Sequence, residues 1–216
     1  MNMQISTFFK PCACVAGFNP KTTITALAVS LCFFFSGCAS FSDGPIRNHK
    51  VKLTEKSLYT LSGTYQLYPD SVYDKKGDLR LRAYASKDDR FHQYVSRNKI
   101  SFDTLVNSSV IVQVSHDGYI NFLFKENGID KDAVRLSYKL QSRGLLILGN
   151  KYVKFEGIPY ILGGSRSEKT RIGLARDGGL ILNHAVDNSG AFLLMIGAGY
   201  SYNASYHFKR IKSISL

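Results

Sequence analysis

The chain has 216 residues, of which 44% are hydrophobic and 20% charged, and its formal net charge is +12. This length allows one or at most two domains, and the apolar fraction excludes a disordered chain. Its 18 glycines and five prolines follow no repeat, which excludes a collagen-like or low-complexity chain. No stretch reaches the roughly 20 consecutive apolar residues that a membrane-spanning helix requires.

The N-terminal region has the three parts of a secretory signal. Residues 1–24 contain Lys10 and Lys21 and no acidic residue, and an uncharged, mainly apolar run follows from 25 to 37. A basic start, a short apolar run and small residues before a cleavage point are typical of export signals. An uncleaved anchor is the alternative, but this run would rise only roughly 20 Å as a helix, less than the ~30 Å hydrocarbon core.

The apolar run ends in Phe35-Ser36-Gly37-Cys38, which resembles the bacterial lipobox, although that pattern usually has Leu where Phe35 stands. The resemblance implies cleavage before Cys38 and attachment of acyl chains, such as palmitate, to its sulfur and its amine. Ala39 at the next position implies sorting to the outer membrane. Each buried CH₂ of an acyl chain contributes ~0.8 kcal/mol, so several chains anchor a protein stably. An ordinary signal peptide with a chance cysteine is the alternative.

Cysteine usage agrees with export. Every cysteine lies at or before the predicted cleavage point, at Cys12, Cys14, Cys32 and Cys38. The mature chain therefore keeps one lipidated cysteine and no thiol that could mispair in an oxidising compartment. We accordingly divide the chain into a lipoprotein signal peptide (1–37), a tether of small, polar and basic residues (38–57) and a folded body (58–216).

In the body the hydrophobic pattern has a period of two. The alternation is clear in residues 79–84, 110–114, 120–124, 134–140 and 200–209. Such alternation predicts strands with one buried and one solvated face. Only residues 86–99 have helical spacing, through Phe91, Tyr94 and Val95.

Turn residues separate the predicted strands at short intervals. Asp117-Gly118, Gly149-Asn150 and Asp177-Gly178-Gly179 each predict a hairpin, because Gly and Asn tolerate positive φ. The body is therefore predicted to be all-β, with about 8–10 antiparallel strands joined mostly as a meander. Closing into a barrel or folding into a sandwich would both bury one face and protect the edges, and the pattern leaves both open.

The two ends of the body resemble the lipocalins and related calycin barrels. Leu61-Ser62-Gly63-Thr64-Tyr65 begins the first strand, and the last strand ends in Phe208-Lys209-Arg210. In that family a Gly-x-Trp strand opens the barrel, and an Arg near the C-terminus packs across the Trp. Here Tyr65 stands where Trp is expected, and the chain contains no Trp. The resemblance implies that Arg210 points inward toward Tyr65.

Large apolar and aromatic residues share the faces that are predicted to be buried. These are Tyr65, Leu67, Phe122, Phe124, Val153, Phe155, Tyr202, Tyr206 and Phe208. In a hollow barrel they would line a cavity for a small apolar ligand, so the candidate ligand-binding residues are Tyr65, Phe122, Phe124, Tyr202, Tyr206 and Phe208. The alternative is that the same side chains simply fill the core.

The sequence contains no recognised catalytic or metal-binding arrangement, and we predict neither an enzyme nor a cofactor. No pair of histidines has ligand spacing, and Gly163-Gly164-Ser165-Arg166-Ser167 lacks the second glycine of a hydrolase nucleophile turn. His184 shares parity with Leu180 and Leu182 and is expected to point into the body as a hydrogen-bonded, neutral ring. The other histidines are expected at the surface or the rim.

These observations leave three hypotheses. The first is an outer-membrane lipoprotein, facing the periplasm, whose barrel binds a small apolar ligand. The second is a structural lipoprotein that docks an envelope protein or an anionic envelope polymer, since the mature chain keeps 26 basic and 16 acidic residues. The third is an envelope hydrolase that depends on His184. Nucleic acid is not an expected partner, because no basic helix or aromatic RNA-binding stripe is present.

Overall fold

The computed structural model describes residues 39–81, 89–158, 162–192 and 196–212. Cys38 and the predicted signal peptide lie outside the described residues. Within these residues the strands are β1 (Gly63–Gln66), β2 (Ser71–Tyr73), β3 (Leu79–Leu81), β4 (Ser108–Val114), β5 (Tyr119–Glu126), β6 (Ile129–Leu140), β7 (Leu146–Leu148), β8 (Tyr152–Ile158), β9 (Leu162–Leu174), β10 (Leu180–Phe192), β11 (Ile196–Phe208) and β12 (Arg210–Lys212). The helices are α1 (Phe91–Val95) and two 3₁₀ helices, Gly44–Ile46 and Glu55–Leu61.

The strands form one antiparallel sheet that is curled into a half-barrel. Their order in the sheet is β12-β1-β4-β5-β6-β7-β9-β10-β11-β2-β3, and β8 pairs with β9. Most neighbours are consecutive in the chain, as a meander requires. The all-β antiparallel prediction is therefore confirmed, and a single curled sheet corresponds to its barrel alternative rather than to a sandwich.

The first and last segments of the sheet are hydrogen-bonded to each other. β1 pairs with β12, and β2 pairs with β11. Between these two pairings, the amide of Gln66 donates to the carbonyl of Lys209 at 2.9 Å. Only Lys209 separates β11 from β12, so the two ends of the meander lie side by side. This arrangement reduces the number of backbone groups at open edges.

The hairpin predicted at Gly149-Asn150 is wrong. β7 and β8 do not pair with each other but lie one after the other along β9. The turn residues instead mark a kink within a nearly continuous strand. Glycine is required at position 149, because a Cβ there would lie 2.1 Å from the Ser137 hydroxyl. The other two predicted hairpins are confirmed, with positive φ at Gly118 and Gly178. Helix α1 likewise lies within the segment of predicted helical spacing.

Large apolar side chains fill the interior of the curled sheet. The main cluster contains Leu53, Leu58, Leu61, Tyr65, Leu67, Phe91, Val95, Phe102, Val110, Val112, Ile120, Phe122, Phe124, Leu146, Leu148, Ile172, Leu180, Leu182 and Phe208. Helix α1 contributes Phe91, whose ring lies 5.2 Å from that of Phe208 and 5.4 Å from that of Phe122. Burial of this apolar area is the main source of stability, at roughly 25 cal/mol per Å².

Alternation predicted the wrong environment for several side chains. Leu79 and Leu81 on β3 are 46% and 89% exposed, and Val153 and Phe155 on β8 are 42% and 80% exposed. Tyr202 on β11 is also 45% exposed. These strands keep a period of two, but β3 and β8 flank the sheet, and this part of β11 extends beyond the packed core. Alternation predicts which side chains share a face of a strand, but that face is buried only where other parts of the protein pack over it.

The predicted tether lies against the sheet from Ala39 onward. Lys50 forms an isolated bridge with Ala175, just after the end of β9. Further back along the chain, the carbonyl of Ala39 accepts a hydrogen bond from Lys169 Nζ at 2.9 Å. Ala39 is 2% exposed. Between these two contacts the segment therefore runs along β9, from the end of the strand toward its middle.

Arg171 on β9 holds the centre of this segment. Its guanidinium is 3% exposed, pairs with the Asp43 carboxylate and donates to the Ser42 carbonyl at 3.1 Å. Its Nε donates to Asn183 Oδ1 at 2.8 Å, and the group lies 4.4 Å from the centre of the Phe41 ring. A buried guanidinium requires such partners, because an unpaired buried charge is costly.

Arg210 connects three separate parts of the chain at the closed end of the sheet. Its guanidinium donates to the carbonyls of Thr60 at 2.7 Å, Ser62 at 3.0 Å and Gly178 at 2.8 Å. It also donates to the Tyr65 hydroxyl and lies 4.9 Å from the centre of that ring. The Tyr65 hydroxyl in turn donates to the Leu61 carbonyl at 2.7 Å, and burial raises its pKa to about 12. The expected contact between Arg210 and Tyr65 is confirmed.

Replacing Arg210 with Lys should lower the free energy of unfolding by about 2 kcal/mol, because an ammonium cannot satisfy the same carbonyls in one fork. The matched control is Arg80→Lys, since the Arg80 side chain is 73% exposed and its ion pair with Asp74 contributes little. Urea unfolding measures both variants. Equal stability of the two would contradict a structural role for Arg210.

Candidate functional site

A cavity of about 300 Å³ lies between the C-terminal end of α1 and the sheet. β9 and β10 contribute Glu168, Thr170 and His184 to its wall. Its lining residues are Gln93, Tyr94, Val95, Ser96, Arg97, Asn150, Tyr152, Glu168, Thr170 and His184. This volume is at the lower end of the range for small-molecule sites. The helix end, the kink between β7 and β8, and two long strands therefore build one candidate site.

The carbonyl of Tyr94, in the last turn of α1, accepts hydrogen bonds from two side chains. Asn150 Nδ2 donates at 2.6 Å, and the Thr170 hydroxyl donates at 3.0 Å. The last carbonyls of a helix have no partner within the helix, so these side chains replace the missing bonds. They hold the end of α1 against the kink and β9, which fixes one wall of the cavity.

His184 provides a hydrogen-bond acceptor on the opposite wall. The ring is 8% exposed, and its Nδ1 lies 3.2 Å from the Thr170 hydroxyl oxygen. Because that hydroxyl donates its proton to Tyr94, its oxygen accepts from Nδ1–H, and Nε2 keeps its lone pair. Burial lowers the pKa of His184, against the opposing effect of the Glu168 carboxylate. The predicted buried and hydrogen-bonded ring is confirmed, and the direction of its pKa shift favours the neutral form.

Two more acceptors and two aromatic rings complete the lining. Asn150 Oδ1 is buried and has no hydrogen-bond partner among the described residues. The Glu168 carboxylate accepts a hydrogen bond from Arg166 Nε. The Arg97 guanidinium lies 4.4 Å from the centre of the Tyr152 ring, and the Tyr94 ring lies 5.0 Å from the His184 ring. Acceptors beside aromatic faces suit a molecule with hydroxyl or amine donors and an apolar ring face.

The six candidate ligand-binding residues lie elsewhere. Tyr65, Phe122, Phe124 and Phe208 are fully buried in the core, and Tyr206 packs against it. Tyr202 lies on the exposed part of β11. None of the six lines the cavity, and the lining residues other than His184 were not predicted as a site. The sequence indicates Asn150 only as a turn residue, and nothing local in the sequence marks Thr170 or Glu168.

Two histidines expected at the surface or the rim are buried. His92 on α1 is 1% exposed, and its Nε2 lies 2.7 Å from Asp132 Oδ2. The Ser96 hydroxyl donates to the same carboxylate at 3.0 Å rather than to the ring. The Ser–His–Asp order of a hydrolase is therefore not formed here, and the carboxylate instead ties α1 to β6. The hydrogen-bonded ring packs 4.7 Å from that of Phe124.

His207 is 4% exposed on the outer face of β11 and lies between two carboxylates. Its Nδ1 is 2.8 Å from Asp70 Oδ1, and its Nε2 is 3.1 Å from Asp177. Only the protonated ring donates from both nitrogens. Burial opposes the charge, but the hydrogen bonds and charges of Asp70 and Asp177 outweigh it and raise the pKa of His207. The ring thus links the chain before β2 to the β9–β10 hairpin.

This pairing predicts a dependence of stability on pH. A His pKa that is raised on folding stabilises the protein fully below its unfolded value of about 6.5, and the contribution is lost as pH rises through the folded pKa. The wild-type free energy of unfolding should therefore fall above about pH 6.5. In His207→Gln that decline should be smaller. The lowered pKa of His184 instead affects the free energy of unfolding at acid pH.

Urea unfolding at a series of pH values measures this effect, with His116→Gln, at an exposed position, as the control. A decline of the same size in His207→Gln and in the control would show that His207 does not carry it.

The described residues contain no group of three or more His, Cys, Asp or Glu side chains that could hold a metal ion. Within the same residues, no helix has the length and apolarity needed to cross a membrane.

Comparisons with known proteins give no match: no protein-family model, no curated protein and no solved structure matches this chain.

Proposed function

We propose that this chain is an outer-membrane lipoprotein, anchored through acyl chains on Cys38, whose β body binds a small hydroxylated molecule in the cavity beside α1. The observation that carries the binding role is the set of acceptors at Asn150 Oδ1, His184 Nε2 and Glu168, placed beside two tyrosine rings. A hydroxylated ring, such as a sugar, offers donors to these atoms and an apolar face to the rings.

The interior of the curled sheet is a less suitable place for a ligand. Phe91, Phe122, Phe124 and Phe208 occupy it, and each is fully buried by its neighbours. A small apolar molecule inside the barrel would have to displace this packing, and interiors are packed as densely as organic crystals. The binding role is therefore assigned to the cavity and not to the six core and sheet aromatics.

A structural lipoprotein without a ligand is the second candidate. The filled core favours it, because such a body needs no lumen. The net positive charge of the mature chain would then suit an anionic envelope partner. The first candidate predicts that the cavity binds a small molecule, and the second predicts that the cavity binds none.

Ligand binding can be tested by saturation-transfer NMR with glucose and N-acetylglucosamine, and with octanoate as the apolar probe. We expect saccharide signals in the wild type and their loss in His184→Phe, because the larger ring fills the cavity and removes Nε2. His116→Phe, at an exposed position, is the control and should keep the signals. Thermal melting checks that both variants fold.

Signals from octanoate alone would instead support the apolar ligand. Absence of signal from every probe would favour the second candidate.

The anchor is tested separately by metabolic labelling with radioactive palmitate. Cys38→Ser should abolish the label and leave an uncleaved precursor, whereas Cys32→Ser should be labelled and processed normally. Label that persists in Cys38→Ser would remove the basis for the proposed anchor and for the outer-membrane location.

A further inference from the structure

The sheet face that lines the cavity continues from β9 and β10 onto β11. His184 pairs directly with Ala204, and Val186 pairs with Tyr202 on one side and with Glu168 on the other. Directly paired residues of antiparallel strands project their side chains to the same face. Tyr202 therefore lies on the same face as the cavity residues Glu168 and His184, although it is not part of the cavity lining.

One further row of side chains follows on this face. Asn188 on β10 pairs with Arg166 on β9 and with Tyr200 on β11. From His184 to Asn188 the strand advances roughly 13 Å, at ~3.3 Å per residue. The face thus continues past the cavity for more than the length of one sugar ring. We call the two rows beyond His184 the tyrosine face, which consists of Val186, Tyr202, Arg166, Asn188 and Tyr200.

The two tyrosine rings of this face are open to solvent. Tyr202 is 45% exposed and Tyr200 is 55% exposed. Their rings are nearly parallel, with an interplanar angle of 12° and centroids 6.1 Å apart. Each ring has an apolar surface and a polar hydroxyl, which is the same combination that the aromatic residues of the cavity provide.

Tyr202 lies close to both walls of the cavity. On the helix side, burial and the neighbouring Tyr206 and Tyr202 raise the pKa of Tyr94. On the strand side, burial and the Glu168 carboxylate raise the pKa of Tyr202 itself. The Tyr94 ring also lies 5.3 Å from the Tyr206 ring, on the same strand as Tyr202. A ligand too long for the cavity would therefore meet Tyr202 next.

The charges next to the tyrosine rings largely compensate each other. Arg166 forms an ion pair with Glu168, and Lys154 pairs with Arg166 in the sheet, on the outer strand β8. An anion would have to compete with Glu168 for the Arg166 guanidinium. Hydroxyl groups, by contrast, can donate to the carboxylate and accept from the guanidinium, so both partners of the ion pair can contribute. This composition favours a ligand rich in hydroxyl groups.

We propose that the cavity and the tyrosine face together bind a linear glycan, with its terminal unit beside His184, its second unit on Tyr202 and its third on Tyr200. The inference rests on the proposed function, and it identifies the ligand as a chain rather than a single sugar. Each unit would then find an aromatic surface for its apolar face and polar groups for its hydroxyls. Tyr202 would contact the ligand outside the cavity.

Isothermal titration calorimetry of the mature lipoprotein, in a detergent without a sugar headgroup, tests this proposal. The probes are N-acetylglucosamine and its β-linked dimer and trimer, and glucose with the corresponding oligomers. We expect the affinity to rise about tenfold from monomer to trimer, because the added units contact further aromatic rings.

Variants of the two tyrosines assign this gain to the face. Tyr202→Ala should bind the trimer no more tightly than the monomer, and Tyr200→Ala should lose only the gain from dimer to trimer. Tyr59→Ala is the matched control, since this tyrosine is 59% exposed in the 3₁₀ helix Glu55–Leu61, and it should keep the whole gain. Thermal melting checks folding, and if Tyr202→Ala does not fold, Tyr200→Ala decides.

Equal affinity for monomer and trimer in the wild type would overturn the extended site and keep the single-sugar cavity. A gain that persists in both tyrosine variants would also overturn the extended site. Absence of binding by monomers and oligomers alike would overturn the proposed function together with this inference. A wild-type dimer that Tyr202→Ala converts to monomer in sedimentation would overturn the glycan assignment, because a second copy of the chain would then cover the face.

Discussion

The hydrogen bonds of one guanidinium determine how the ends of this sheet meet. Arg210 satisfies carbonyls of the 3₁₀ helix region before β1 and of the β9–β10 hairpin, and it covers the ring of Tyr65. These groups are far apart in the chain, so a single planar, multidentate donor replaces what would otherwise be several separate contacts. The curled sheet and the core inside it depend on this junction, because β1 and β12 pair directly beside it.

Sequence patterns predicted the local structure, such as strands and hairpins, but not the roles that residues acquire through contacts with distant segments. Period-two alternation was sufficient to predict an all-β body, and the Gly-containing turns at Gly118 and Gly178 were correct because a two-residue hairpin is a local structure. Gly149 was misassigned because its role is set by Ser137 on a neighbouring strand. Val153 and Phe155 were misassigned because burial depends on a covering layer, which alternation within one strand does not report. The expected contact of Tyr65 with Arg210 came from a family resemblance and not from the pattern.

The candidate site illustrates the same division. His184 could be identified, since its parity with Leu182 places it on the inner face. Thr170 and Asn150 could not, because each acquires its role by donating to the carbonyl of Tyr94 across the fold. Side chains that cap a short helix from other elements leave no spacing signal in the sequence. Four of the six aromatic residues predicted to bind a ligand, Tyr65, Phe122, Phe124 and Phe208, instead fill the core, whereas Tyr202 is exposed.

The close fit of Ala39 against the sheet has a consequence for reach. A lipoprotein with a long flexible linker can extend across the envelope and sample a wide volume. Here the chain next to Cys38 is already docked on the body, through Lys169 and Arg171. If Cys38 carries the acyl chains, little slack is left for the body to move away from the lipid. The protein would then work at short range, and whatever it engages would have to come to within its own height of the membrane.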